Sequence, residues 1–148
     1  MDSFALFFKL LFLGIAALVI LASQDYASKM ARFQGEYYAL ILLATLGMML
    51  MAAATELISI YIALELASIS LYALVGFLKD PKSSEASLKY LLLGAIASAV
   101  MLYGMAMVFG FTGKTQLGEV AGAIQSMSLQ NALAVSYTHL TLPTKRIV

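Results

Sequence analysis

An all-α fold, a polytopic transmembrane helix bundle with four spans, is what this sequence predicts, and three observations predict it. Of the 148 residues, 62% are hydrophobic and 11% charged, whereas soluble domains run at roughly 45–50% apolar and about 25% charged. The charged residues gather in a few short stretches, which leaves apolar runs long enough to cross a bilayer. The connections between those runs carry the polar residues and the proline that end membrane helices. A soluble domain of this size would wrap its core in charge. Here the bilayer is the solvent.

The first span is expected over 4–22, where Lys9 is the only charge. Nineteen residues at a helical rise reach about 30 Å, the thickness of the hydrocarbon core. A signal peptide is the competing reading, because Leu21-Ala22-Ser23 is small enough for cleavage. The Asp2 and Lys9 flank lacks the net positive charge such a leader needs. A polar connection, SQDYASKMARFQGE, follows.

From Tyr37 to Leu78 the chain is apolar except near Thr55, Glu56 and Glu65. One helix of that length would measure about 63 Å, twice the membrane. The chain must therefore turn at Ala54, Thr55 and Glu56, whose polar atoms serve the free helix ends, giving spans over 37–54 and 57–78. The next connection, Lys79-Asp80-Pro81-Lys82-Ser83, contains a proline that ends helices. Ser84 is expected to cap a fourth span over 85–111, with Glu85 in its first turn and Lys89 four residues on. Gly110, Thr112, Gly113 and Lys114 close it, and the stretch to Gln130 reads as an exposed connection with one short amphipathic turn.

Lys29, Arg32, Lys79 and Lys82 fall on one face, and only Lys114 falls on the other. Short cytoplasmic loops are the ones enriched in lysine and arginine, so the first face is expected to be cytoplasmic and the amino terminus to start outside. From about Ser136 the character changes: SYTHLTLPTKRIV holds the only histidine and a Lys-Arg pair. It resembles translated adapter sequence, so residues 1–135 are read as the membrane fragment of a larger domain and 136–148 as a non-native tail. His139 is then no ligand.

Net charge is +1, with nine Lys and Arg against eight Asp and Glu. That excludes the basic field a nucleic-acid backbone requires. Without cysteine, and with a single histidine, the chain offers no ligands for an iron–sulfur cluster or a bis-histidine haem. No cofactor is expected on this chain and no metal site. The nine methionines lack histidine or cysteine company and read as adaptable apolar filling.

Glu65 is the sharpest chemical feature. It lies about 12 Å into its span, where an ionisable side chain costs about 2.5–3.5 kcal/mol on insertion scales. At helical spacing it shares a face with Tyr61, Ser68 and Tyr72. Such a stripe could hold water and pass protons. The competing reading is a protonated acid that merely ties two helices together. Desolvation favours the neutral form of a carboxyl and a nearby cation favours the charged one, so a lysine that moves could switch such a group.

Lys89 is the second candidate, a charge relay if it faces inward and a headgroup-reaching partner of Glu85 if it does not. Glu56 and Lys9 read as interfacial anchors. Gly94 with Ser98, and Ala95 with Ala99, are small residues at four-residue spacing that read as helix packing.

The stretch IALELASISLYALVGFLKDPKSSEASLKYLLLGAIASAVMLYGMAMVFGFTGKT resembles subunit N of bacterial type I NADH-quinone oxidoreductase, respiratory complex I. The likeness extends upstream through FALFFKLLFLG and YYALILLATLGMMLMAA. It implies a longer antiporter-like parent, in which these spans would be the third to sixth helices and two earlier ones would explain the outside start. Glu65 matches the family's key glutamate, paired there with a lysine on a discontinuous seventh helix that would begin near Asn131. Lys89 matches the lysine that opens the sixth helix.

The resemblance further implies proton translocation in a bacterial inner membrane. Electron transfer from NADH to quinone would occur in partner subunits, so that NADH and quinone reach this chain only through them. Two alternatives remain: a subunit of a cation/proton antiporter or membrane-bound hydrogenase of the same superfamily, and a small structural four-helix membrane protein. Genomic neighbours would discriminate the first, and a reading frame that truly stops at Val148 is required by the second.

Overall fold

The computed structural model describes residues 3–28 and 33–126. Within them the chain forms α1 (Ser3–Ala22), α2 (Gln24–Ser28), α3 (Gln34–Ala53), α4 (Leu57–Val75), α5 (Pro81–Thr112) and α6 (Leu117–Ser126). Among the described residues four helices, α1, α3, α4 and α5, are long and apolar enough to cross a membrane. They pack in chain order, α1 on α3, α3 on α4 and α4 on α5. The all-α, four-span architecture expected from the hydrophobic runs is therefore the one observed. Lys29, Arg32, His139 and the whole 136–148 tail lie outside the described residues.

The closest pairing is α3 with α4, and small residues make it. Ala44, Thr45 and Gly47 of α3 are buried against Ala63, Ala67 and Ser70 of α4. A methyl added at Gly47 would stand 2.7 Å from the Ala67 amide nitrogen and 2.9 Å from the Ala63 carbonyl oxygen. Without the hydrophobic effect between helices in lipid, such backbone proximity is what holds them. The two hydroxyls in this seam are satisfied within their own helices: Thr45 donates to the Ile41 carbonyl and Ser70 to the Leu66 carbonyl, both at 2.8 Å. Helix α1 adds a run of rings, Phe4, Phe8 and Phe12, with centroids 4.7 and 6.0 Å apart. These lie beside Met48, Met51 and Ala52 of α3.

Three span boundaries differ from expectation by three residues or more. Helix α3 begins at Gln34 rather than Tyr37 and α4 ends at Val75 rather than Leu78. The latter stops because the chain turns at Gly76 and passes through Lys79, whose φ of 56° is left-handed. Helix α5 starts at Pro81, not Glu85, and its cap is Asp80, not Ser84. The Asp80 carboxylate accepts from the Ser83 amide at 3.1 Å and from the Ser83 hydroxyl. Proline is disallowed inside a helix but suits its first position, where the missing N–H would have no partner. The Ser83 hydroxyl, foremost, holds the Asp80 carboxyl below its ordinary value of 3.8.

The 32 residues of α5 measure about 48 Å, well beyond the hydrocarbon thickness. Its first three turns, which carry Lys82, Glu85 and Lys89, therefore project toward the interface. On that face Tyr37 packs with Tyr26 at 5.9 Å and with Phe77 at 5.5 Å between ring centroids. Interfacial aromatics of this kind are common at membrane boundaries.

The opposite face has a clamp that the sequence did not announce. Gly113, at φ 64°, ends α5, and the chain then forms an antiparallel bridge between Glu56 and Gln116. The Leu57 amide donates to the Thr115 carbonyl at 3.0 Å and the Leu117 amide to the Thr55 carbonyl at 2.9 Å. Free amides at the starts of α4 and α6 thus find partners in each other's loops. The stretch expected to be an exposed connection with one short amphipathic turn is mostly exposed over its described residues, and the turn is the ten-residue α6, anchored through buried Val120.

Candidate functional site

The α4 face that bears Tyr61, Glu65, Ser68 and Tyr72 packs toward α5, and α5 meets it with Ser87, Gly94 and Ser98. These three recur at seven and four residues, close to whole helical turns, so they form one stripe. Near the start of α5 the Ser87 hydroxyl donates to the Tyr72 carbonyl at 2.8 Å. The Tyr72 ring then runs along the seam, edge-on to Tyr90 at 4.7 Å, and its hydroxyl occupies the space a side chain at Gly94 would fill. A Cβ there would lie 1.9 Å from the Tyr72 oxygen.

One turn further along α5, Ser98 reaches Glu65. Its hydroxyl contacts Glu65 Oε1 and lies 3.1 Å from the Tyr61 hydroxyl. A serine carries a single donatable proton. When Ser98 donates to the carboxylate, the bond between the two hydroxyls must run from Tyr61 to Ser98. The result is an ordered line, Tyr61 to Ser98 to Glu65, joining two membrane-crossing helices. Tyr61 also lines a cavity of about 250 Å³ between α4 and α5, bounded further by Leu57, Leu102, Met105, Phe109 and Thr115.

Three of the four residues expected on the Glu65 stripe are thus seen to make the α4–α5 seam. The fourth, Ser68, is half-buried on the same helix. Lys89 is not brought to Glu65. It pairs with Glu85 at 2.5 Å, and both side chains are well exposed, 71% and 65%. It sits about 13 Å along α5 from Ser98, in the turns that project beyond the apolar span. Glu56 lies at the opposite face, where it accepts from the Thr115 hydroxyl at 3.1 Å, so the anchor role expected of it takes the form of a loop clamp.

Ser98 is the residue that sequence reasoning misassigned. Its four-residue spacing from Gly94 reads as packing, yet its hydroxyl is the partner that a membrane-buried carboxyl needs. The same spacing was the available signal, because it put a notch and a hydroxyl on one face of α5. Among the described residues no group of three or more His, Cys, Asp or Glu is arranged to hold a metal ion.

Four apolar crossings with an ionisable side chain seated between two of them define a polytopic helical membrane protein with a polar site inside its bundle. The chain belongs to the NADH:quinone oxidoreductase/Mrp antiporter transmembrane family, whose model matches residues 54–143. It is 54% identical over 127 residues to NADH-quinone oxidoreductase subunit N of Dehalococcoides mccartyi, covering 86% of this chain and 26% of that protein. It is also 54% identical over 121 residues to subunit N of Desulfitobacterium hafniense, covering 81% and 24%. Subunit N of Moorella thermoacetica is 48% identical over 133 residues, covering 89% and 28%. The chain therefore spans about a quarter of the length of these curated relatives.

Proposed function

We propose that this chain is part of the proton-translocating membrane subunit of a bacterial NADH-quinone oxidoreductase, of the subunit N type. Electrons pass from NADH to quinone in partner subunits, and the complex uses that reaction to move protons across the cytoplasmic membrane. Moving one charge against the membrane potential costs about 2.3 kcal/mol per 100 mV. A translocating subunit therefore needs an internal group whose proton occupancy changes in step with the driving reaction.

Glu65 is that group in this reading. The observation that carries it is the seating of one carboxyl between α4 and α5, on hydroxyl partners, in a chain about half identical to several subunit N proteins. A cationic neighbour brought near such a carboxyl favours the ionised form, and its withdrawal favours the protonated one. The cation belongs to the remainder of the parent protein, because Lys89 is exposed and paired with Glu85 and takes the headgroup-reaching role rather than that of a charge relay. Lys79 and Lys82 mark the cytoplasmic face. The other membrane subunits and the lipid bilayer are the direct partners. The family's description also names Mrp antiporters, and the subunit N relatives favour the respiratory assignment over that one.

The test is Glu65→Gln in the intact subunit within the assembled complex, which keeps volume and removes the titratable proton. NADH-driven proton pumping into sealed vesicles should fall about tenfold or more. Pumping at the wild-type rate would remove Glu65 from the path.

A further inference from the structure

We propose that Ser98 is a relay residue for Glu65, passing it a proton received from Tyr61. The inference rests on the role given to Glu65 above and adds two hydroxyls and a direction. Three facts carry it. Ser98 is in hydrogen-bond contact with both Glu65 Oε1 and the Tyr61 hydroxyl. Ser98 stands on α5 whereas the other two stand on α4, so the line exists only while the two helices keep register. Finally, among the described residues the Tyr61 hydroxyl makes no hydrogen bond other than the one with Ser98, so it is the outer end of the line, while its ring forms part of the apolar wall of the cavity between the helices.

The step balances without an electron carrier. With Glu65 ionised, Tyr61 donates to Ser98 and Ser98 donates to the carboxylate. When a hydrated proton arrives at Tyr61 Oη, the Tyr61 O–H bond breaks and its proton forms a new bond at Ser98 Oγ. The original Ser98 proton bonds to Glu65 Oε1, and the arriving proton replaces the one Tyr61 gave up. One proton has entered and one carboxylate has become a carboxylic acid, with both hydroxyls regenerated. The line now points the other way, Glu65 to Ser98 to Tyr61. A hydroxyl rotates freely enough to reset it once the carboxyl has lost its proton elsewhere. A second delivery before that reset is blocked, because Ser98 no longer has a proton directed at Glu65.

The experiment uses the assembled complex with the intact subunit carrying Ser98→Ala, Ser98→Thr, Tyr61→Phe or Glu65→Gln. Protons pumped per NADH oxidised are measured together with the infrared carbonyl stretch of the carboxylic acid that Glu65→Gln abolishes. Loss of a hydrogen bond to a charged group corresponds to roughly tenfold or more, so Ser98→Ala should lower pumping by about that factor. The carbonyl band should move to higher wavenumber, as it does when a carboxylic acid loses a hydrogen-bond partner, and Ser98→Thr should restore both.

Pumping at the wild-type level in Ser98→Ala, or a loss without a band shift, would overturn the relay while leaving Glu65 in place if Glu65→Gln is inactive. Wild-type pumping in Glu65→Gln would instead overturn the functional reading, and the relay with it. Should Ser98→Ala fail to assemble, Tyr61→Phe decides. It keeps the ring and removes only the outer donor, and it should also fall about tenfold. Full pumping there would overturn the line.

Discussion

At Asp80 a single carboxylate fixes where α5 begins, and its chemistry gives a pH signature. The Ser83 hydroxyl holds the folded-state carboxyl below its ordinary value of 3.8, so the ionised form is favoured by folding. The cap's contribution is therefore fully present above that ordinary value and is lost as pH falls through the lower folded one. Asp80→Ala should lower thermal stability in detergent at about pH 7, and the gap to wild type should narrow as pH falls below 3.8. A gap that stayed constant across that range would contradict the cap. Asp80→Asn, which caps without a charge, should remain close to wild type at neutral pH. The sequence did not disclose this residue's role because a proline one position later reads first as a breaker. Its permitted place at the start of a helix depends on the residue before it bonding back to Ser83.

Between elements, the decisive contacts are glycines that let neighbours approach, and the two best examples differ in what they meet. A methyl at Gly47 would meet backbone atoms of Ala63 and Ala67, which yield only if α3 and α4 separate. At Gly94 it would meet the far end of the Tyr72 side chain, which rotates. Gly47→Ala should thus cost about 1–3 kcal/mol, as overpacking typically does, and lower the yield of folded protein. Gly94→Ala should be milder in thermal unfolding and should alter Tyr72 fluorescence or accessibility instead. Equal destabilisation by the two would argue against this picture of the seams.

Helices were legible from the sequence because run length against bilayer thickness is a local property. The pairing of α4 with α5 was not, since both helices are apolar all round and periodicity does not name a partner. Glu65 could be found from its cost in lipid, whereas its partner Ser98 became visible only when the two helices were set in register. The Glu56–Thr115 clamp joins residues far apart in the chain and left no local trace for the same reason.

Over the whole molecule, α5 has no buried residue although it is the longest helix. Its large apolar side chains, among them Leu93, Ile96, Val100 and Tyr103, are more than half exposed. A surface of this kind is stable against lipid or against further helices of the same family. The lysines just before and at the start of α5, Lys79 and Lys82, predict that this end of the bundle faces the cytoplasm. The chain has no cysteine, so Ser84→Cys and Gly118→Cys report on opposite faces against a clean background. An impermeant thiol reagent added to intact cells should label the Gly118 position and spare the Ser84 position. The reverse pattern would invert the topology.

The central claim is that Glu65, seated between two membrane helices on the Ser98 hydroxyl, gains and loses a proton as the complex turns over. Redox-triggered infrared difference spectroscopy on the assembled complex with the intact subunit observes that event itself. A carboxylic-acid carbonyl band that rises and decays with turnover, and is missing when Glu65 is replaced by Gln, is the expected result. Identical difference bands in the wild-type and Glu65→Gln complexes would contradict it.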